Sequence, residues 1–283
     1  RGRRSGVFAG RSAERKEGVP MPHDDRPHVV MQMSASVDGR IALGPSLTMF
    51  DAHPATDSLP DEGALWARVA DAIREAWDPQ ATMMGSGTVL REDAPMTPLP
   101  PFDGDAASLY VDFLPDDIVS ATRHWHVLVD GRGRCRSGYK ATENPGGHIL
   151  HLVAHEAPPE TLAFLRSERI PYLVGGREHV DLRGALRKLR SLLGVRAMRL
   201  WGGGILNGAM LRAGLIDEAH VIVKPALIGG RRTPTLADCD DLAADERPAV
   251  LELVAARSQE PGFVWLHYRV ERRKDAAATA SPA

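Results

Sequence analysis

From His28 onward, short apolar runs alternate with stretches whose apolar residues recur every three or four positions. Val29-Val30-Met31-Gln32-Met33 is a compact apolar run ending at Ser-Ala-Ser-Val-Asp-Gly, which predicts a buried strand. Over residues 61–77, Leu65, Val69, Ile73 and Ala76 stand at helical spacing, and Asp61 and Glu62 favour a helix start there. Residues 81–84 predict a second buried strand, closed by Gly85-Ser86-Gly87, and the Pro-rich, aperiodic stretch 94–118 predicts a long loop. Further strands are predicted at 126–129, 148–153, 172–174, 196–201 and 219–224. Helices are predicted at 158–167, at 181–193 and from the Gly202-Gly203-Gly204 turn to about Arg212. Residues 248–257 and 262–271 read as an antiparallel pair around Pro261-Gly262. This alternation places the chain in the α/β class, with a mostly parallel central sheet flanked by helices and an antiparallel C-terminal strand pair. Without internal repeats or a clean linker, residues 27–273 read as one domain. Residues 1–26 and 274–283 read as disordered tails.

Composition narrows the classes. The chain has 283 residues, 43% hydrophobic and 25% charged, with a net charge of −2, so it can bury a sizeable core. Two cysteines cannot form a disulfide scaffold or a multi-cysteine zinc site. No run approaches the roughly 18–20 apolar residues that span a bilayer, and the charge balance gives no global pull toward nucleic acid or membrane. The expected location is the cytoplasm. Residues 1–20 carry a net +4, which leaves −6 for the remainder, but they lack the apolar region of a secretory signal. Met21, just before the first strand, is a candidate start. The eleven histidines show no metal-ligand spacing, so no metal is expected. His124 and His126 are taken to lie on alternating sides of their strand, and Trp66, Trp77 and Trp265 to serve packing.

The glycine turns carry the chemistry. In Arg199-Leu-Trp-Gly-Gly-Gly-Ile-Leu-Asn-Gly, a strand stops, three glycines turn and a helix begins. Such a turn exposes backbone N–H groups and the positive end of a helix, which suits a phosphate; a plain tight turn is the other reading. Gly85-Ser86-Gly87-Thr88 repeats the design at another strand end. Two such turns on neighbouring parallel strands would line one crevice, where open α/β sheets bind ligands. Asp130-Gly-Arg-Gly-Arg-Cys-Arg136 adds three arginines, readable as a phosphate clamp or as a solvated turn.

Four stretches together resemble the riboflavin-biosynthesis pyrimidine reductases, the reductase domain of the bifunctional deaminase/reductase, which share the dihydrofolate reductase fold. They are Ser36-Val-Asp-Gly-Arg-Ile-Ala42, Met84-Gly-Ser-Gly-Thr-Val-Leu-Arg-Glu-Asp93, Gly202-Gly-Gly-Ile-Leu with Gly214-Leu-Ile-Asp-Glu218, and Lys224-Pro-Ala-Leu-Ile-Gly-Gly230. The resemblance runs from about residue 27 to 271 and implies NADPH-dependent reduction of 5-amino-6-(5-phosphoribosylamino)uracil to the ribitylamino product. It implies that Gly85, Thr88, Gly202, Gly203, Gly204, Ile205 and Leu206 meet the cofactor, with Arg134 at its 2′-phosphate. Ser36, Asp38, Thr97 and Trp201 would face the substrate, and Asp93 would supply the proton. It also implies a homodimer. No zinc-deaminase signature is present.

Three departures fall on the substrate side. Trp201 stands where the family commonly has Glu, and it could stack on a flat ring. The loop Arg that would hold a phosphorylated substrate is missing from Glu92-Asp93-Ala94-Pro95-Met96-Thr97-Pro98-Leu99, and residues 44–59 do not follow the family pattern. Two alternatives therefore stand beside the main reading: a reductase of a dihydropterin or other imine on the same fold, and a non-catalytic NADP(H)- or nucleotide-binding protein.

Overall fold

The computed structural model describes residues 25–48, 51, 53–90, 96, 98–136 and 146–271. Strand β1 (His28–Ser36) is followed by the short strands β2 (Ala42–Gly44) and β3 (Leu47–Thr48), the one-turn helix α1 (Pro54–Asp57) and helix α2 (Gly63–Trp77). Next come β4 (Ala81–Gly85), the one-turn α3 (Ser86–Val89), a 3₁₀ turn (Ala106–Leu109) and α4 (Asp116–Ala121). The chain continues through β5 (His124–Val129), β6 (Gly147–Val153), α5 (Pro159–Ser167), β7 (Tyr172–Val174) and α6 (Leu182–Leu193). It closes with β8 (Ala197–Leu200), α7 (Gly204–Arg212), β9 (Glu218–Lys224), β10 (Leu251–Gln259) and β11 (Phe263–Val270).

Nine strands form one sheet in the order β10-β11-β9-β1-β8-β4-β5-β6-β7. β1 runs parallel to both β8 and β9, and β4 to β7 continue the parallel array. β11 turns antiparallel against β9 and β10. The fold is the mostly parallel α/β sheet with an antiparallel C-terminal pair that the sequence predicts.

Successive residues of a strand point to opposite faces, and the core divides accordingly. Val29 and Val127 lie in a cluster with Leu186, Leu189, Leu206 and Met210 of α6 and α7. Their neighbours Val30 and Leu128 lie in clusters on the other face, with Leu65, Val69 and Ile73 of α2 and with Leu162 and Leu165 of α5. Each fully buried leucine contributes roughly 2 kcal/mol by leaving water. Helix α6 shows the local rules plainly: Asp181 accepts the Gly184 N–H at its start (3.0 Å), and Gly194 ends it at φ +66°.

Two expectations change. The stretch 94–118 is not wholly loop, because it contains the 3₁₀ turn and the start of α4. α4 is six residues long, and only Ile118 and Val119 reach the core, too few to show a period. His124 and His126 share one face, with ring centroids 5.2 Å apart, because a strand repeats every two residues.

Arg26, at the end of the segment read as a leading tail, is buried. Its guanidinium donates to both carboxylate oxygens of Asp217, at 2.8 and 2.9 Å, and the Val29 N–H donates to the same carboxylate at 2.8 Å. This fork joins the entrance of β1 to the turn before β9.

Candidate active site

The two glycine turns meet. β4 and β8 are adjacent parallel strands, and the Gly85 N–H donates to the Gly202 carbonyl at 2.8 Å. Gly202 and Gly203 hold φ of +71° and +66°, a region side chains rarely adopt. A Cβ on Gly203 would lie 3.3 Å from the Thr88 hydroxyl, and one on Gly202 would overlap the Asn207 amide at 2.5 Å. Helix α7 starts directly behind this cradle, with Gly203 at its N-cap and no side-chain cap on its first N–H groups. Those groups and the helix dipole suit an anionic phosphate. Ile205 (79% exposed) and Val89 (61% exposed) stand out into solvent beside the turns. Leu206 is buried in the core, so it can offer a ligand its backbone alone.

A segment that sequence reasoning did not single out braces the cradle. Thr235 and Asp238 lie so close to α7 that a Cβ on Gly204 would fall 2.0 Å from the Asp238 carboxylate. The Asp238 N–H donates to the Gly204 carbonyl (2.8 Å), and the Asn207 amide donates to the Leu236 carbonyl (2.8 Å).

Beside the cradle lies a cavity of about 400 Å³, lined by residues 56 and 59–63 together with Trp66 and Lys224. Lys224 is buried and pairs with Glu62 at 3.1 Å; the Ser34 hydroxyl also donates to the Glu62 carboxylate. Trp66, read from the sequence as packing, forms a wall here, and its ring meets Trp201 edge-on at 5.9 Å. The Arg199 guanidinium covers the Trp201 ring at 4.8 Å. Trp201 immediately precedes Gly202, so the cavity opens next to the glycine cradle.

Ser36 and Asp38 hold the turn that leaves β1. The Ser36 hydroxyl donates to Asp38 (2.5 Å) and accepts the Arg40 N–H (3.0 Å). The Ile228 and Gly229 N–H groups donate to the Asp38 carboxylate at 3.1 and 2.6 Å. The Ser36 hydroxyl and these two amides hold the Asp38 pKa down at about 2. These contacts give Asp38 a turn-holding role. Arg134 lies in the turn after β5, one strand from Gly85; that turn is fixed by Asp130, which accepts the Cys135 N–H at 2.6 Å. Burial, with the Asp130 charge, pushes the Cys135 thiol up to about 12, so it stays protonated at neutral pH. Asp93 and Thr97 lie outside the described residues.

The sequence matches the RibD C-terminal domain family over residues 27–264. The chain belongs to that family. It is 30% identical to the 2,5-diamino-6-ribosylamino-4(3H)-pyrimidinone 5′-phosphate reductase of Methanothermobacter thermautotrophicus, over 84% of this chain and 94% of that protein. The enzyme of the same name from Archaeoglobus fulgidus is also 30% identical, over 75% of this chain and 87% of its own length. Among solved structures, Acinetobacter baumannii RibD superposes with a TM-score of 0.57 at 19% identity; the match covers 87% of this chain but only 58% of that one. Membership in a family of riboflavin-biosynthesis reductases and the α/β reductase fold thus agree with the sequence-based expectation.

Within this RibD-type chain the sequence-predicted residues fall into three groups. Gly85, Thr88 and Gly202 to Leu206 come together in one cradle, and Trp201 adjoins it. Ser36 and Asp38 are engaged with each other and with residues 228 and 229. Glu62, Lys224 and Ser34 were not assigned to a site. Two signals pointed to them: polar Gln32, Ser34 and Ser36 on one face of an apolar strand, and a lysine ending the apolar run Val221-Ile222-Val223.

At the opposite ends of the strands, Glu218, His220 and His267 bring ligand-type atoms within 4.8 Å of one another, among the described residues. Their geometry suits a hydrogen-bonded network better than an ion. The His220 and His267 rings stack at 4.0 Å, so their in-plane lone pairs cannot converge on one ion about 2 Å away. Trp265 also donates to His220 Nδ1 at 3.2 Å, and Trp77 donates to Glu218 at 3.1 Å. Burial opposes the Glu218 charge, but donors from His220, His267 and His28 outweigh it and hold its pKa below the usual carboxylate range. Burial lowers the pKa of His220 and His126, and takes His124 to about 4.

These shifts have a definite sign. The histidines are favoured neutral in the fold, so the stability they give is complete above their unfolded pKa near 6.5 and is lost as pH falls from there toward 4. Glu218 adds a further loss below its unfolded value near 4.3. A thermal-melt series should therefore be flat between pH 7 and 8 and fall steadily below about 6.5. The His124→Gln variant should show a shallower fall; an identical profile would remove His124 from this account.

Proposed function

We propose that the chain is an NADPH-dependent reductase that converts a 6-ribosylamino-pyrimidine 5′-phosphate to its ribitylamino product. The observation that carries this reading is the Gly85–Gly202 hydrogen bond, which unites two glycine turns beside a cavity walled by Trp66, Glu62 and Lys224. The aminouracil expected from the sequence and the diaminopyrimidinone named for the archaeal relatives differ only at ring position 2. Bound NADPH supplies the hydride. The amides of Gly204, Ile205 and Leu206 and the Thr88 hydroxyl hold its phosphates, and Arg134 takes the 2′-phosphate. Asp93 supplies the proton that accompanies the hydride.

The test is loss of NADPH absorbance with each ribosylamino phosphate and with a dihydropterin panel. Turnover is expected with a ribosylamino phosphate and not with the pterins; NADPH binding without turnover on any compound would favour the non-catalytic reading. Asp93→Asn should lower kcat by about a hundredfold while NADPH affinity stays within about twofold. Unchanged turnover in that variant would exclude Asp93 as the acid.

The assembly that fits this reading is a homodimer in the cytoplasm. β10 is an edge strand exposing Leu251, Leu253 and Val254, with exposed Val250 just before it, an apolar edge of the kind that marks an interface. Light scattering after size exclusion should give twice the monomer mass. No helix among the described residues is long and apolar enough to cross a membrane.

A further inference from the structure

The Glu62–Lys224 pair has no evident reason to be where it is on stability grounds alone. Removing two charges from water costs about as much as their attraction returns, so a buried pair is weak support for a fold. Glu62 stands at the N-cap of α2, yet its carboxylate makes no capping bond. Instead it turns to Ser34 on β1 and Lys224 at the end of β9. Both ionic side chains line the cavity, the Glu62 side chain being 15% exposed and that of Lys224 6%. The cavity stands over β1 and β9, and the glycine cradle over β8 and β4. With strands about 4.8 Å apart, β9 and β8 lie about 10 Å from one another across β1, so the two sites are neighbours.

We propose that Glu62 and Lys224 read the ring edge of the substrate and select a 2-amino-pyrimidin-4-one over a uracil. This deepens the reading given above and rests on the substrate being a ribosylamino-pyrimidine. A 2-amino-4(3H)-pyrimidinone presents two adjacent donors, the ring N3–H and the 2-amino group, followed by the 4-carbonyl acceptor. A carboxylate can accept from both donors at once, since each oxygen keeps a second lone pair after meeting Lys224 or Ser34. The Lys224 ammonium has three hydrogens, one directed at Glu62, and can donate to the 4-carbonyl. The Trp66 ring covers the face of the heterocycle. A uracil replaces the 2-amino donor with a carbonyl, which would set an acceptor against the oxygen of a largely buried Glu62 side chain. A site built to receive a donor rejects the analogue lacking it far more strongly than an apolar pocket rejects a missing methylene.

The experiment separates this proposal from the reaction itself. The two bare rings, 2,5,6-triamino-4(3H)-pyrimidinone and 5,6-diaminouracil, are titrated calorimetrically into wild type, Glu62→Gln and Lys224→Met with NADP⁺ present. Wild type should bind the pyrimidinone on the order of tenfold or more tighter than the uracil. Glu62→Gln should bring the two within about twofold, because its amide can donate to the uracil carbonyl, with NADPH affinity unchanged. Lys224→Met should weaken both rings alike, since both carry the 4-carbonyl. Equal affinities in wild type, a preference for the uracil, or an undiminished preference in folded Glu62→Gln would each overturn the proposal. The wild-type comparison needs no variant and decides even if the variants unfold. A wild type that selects the pyrimidinone ring yet reduces neither ribosyl phosphate would uphold the Glu62 assignment and overturn the reductase reading.

Discussion

Gly203→Val should abolish NADPH binding, with affinity falling at least about a hundredfold, some 2.7 kcal/mol or more. Two costs act together. The residue holds φ +66° and ψ 147°, a conformation essentially confined to glycine, and forcing a branched side chain into it costs on the order of 1–3 kcal/mol. The new Cβ would also arrive 3.3 Å from the Thr88 hydroxyl, and the two methyl groups beyond it would occupy the space between the glycine turns. Relief by rotating the backbone would misdirect the first N–H groups of α7, which are the groups offered to a phosphate. Fluorescence titration of NADPH measures the effect, with circular dichroism confirming the fold. Wild-type affinity in a folded Gly203→Val protein would refute the cradle as the cofactor site.

The largest loss of stability is expected from Asp217→Ala. Burial alone would raise the Asp217 pKa, but the Arg26 guanidinium, the nearby His28 and the Val29 N–H outweigh it and keep the carboxylate ionised. Removing the carboxylate takes the two-oxygen acceptor from the Arg26 guanidinium, in a site that is 5% exposed, and takes the Asp217 acceptor from the Val29 amide. Breaking one side of a buried pair costs about 3–5 kcal/mol. For a chain of this size that lowers Tm by about 10 °C, at roughly 2–4 °C per kcal/mol. Urea unfolding and calorimetry measure both quantities. The double variant Arg26→Met/Asp217→Leu should recover most of the loss because it removes both charges. A single-variant cost under about 1 kcal/mol would show that Arg26 reaches solvent once freed.

The elements that the sequence made legible are those with a period or a sharp boundary. The strand at residues 172–174 coincides with β7, and the helix expected at 181–193 differs from α6 only in counting its cap, Asp181. The glycine cradle was legible because consecutive glycines at a strand end leave few backbone geometries open. The cavity wall was not. Glu62 and Lys224 are 162 residues apart, and neither an acid at a helix start nor a lysine ending an apolar run names its partner. The register of β1 with β9, Ser36 against Lys224, and the Ser34–Glu62 hydrogen bond bring them to one cavity. The residues 235–238 that brace α7 carry no periodicity at all, and their role lies in their backbone groups, which meet the Gly204 carbonyl and the Asn207 amide.

The place of β1 in the sheet also governs how the protein can be made. Among the described residues it is the earliest strand in the sequence, yet it lies inside the sheet, and its two partners begin at Ala197 and Glu218. Until synthesis reaches β8 and β9, both edges of an apolar strand remain without their native neighbours. Assembly is therefore dominated by contacts distant in sequence, the regime in which folding is slow and nascent strands are most exposed to mispairing. The Arg26–Asp217 fork closes this long loop at its base, so it stands at the point where the later strands β8 and β9 capture the earlier β1.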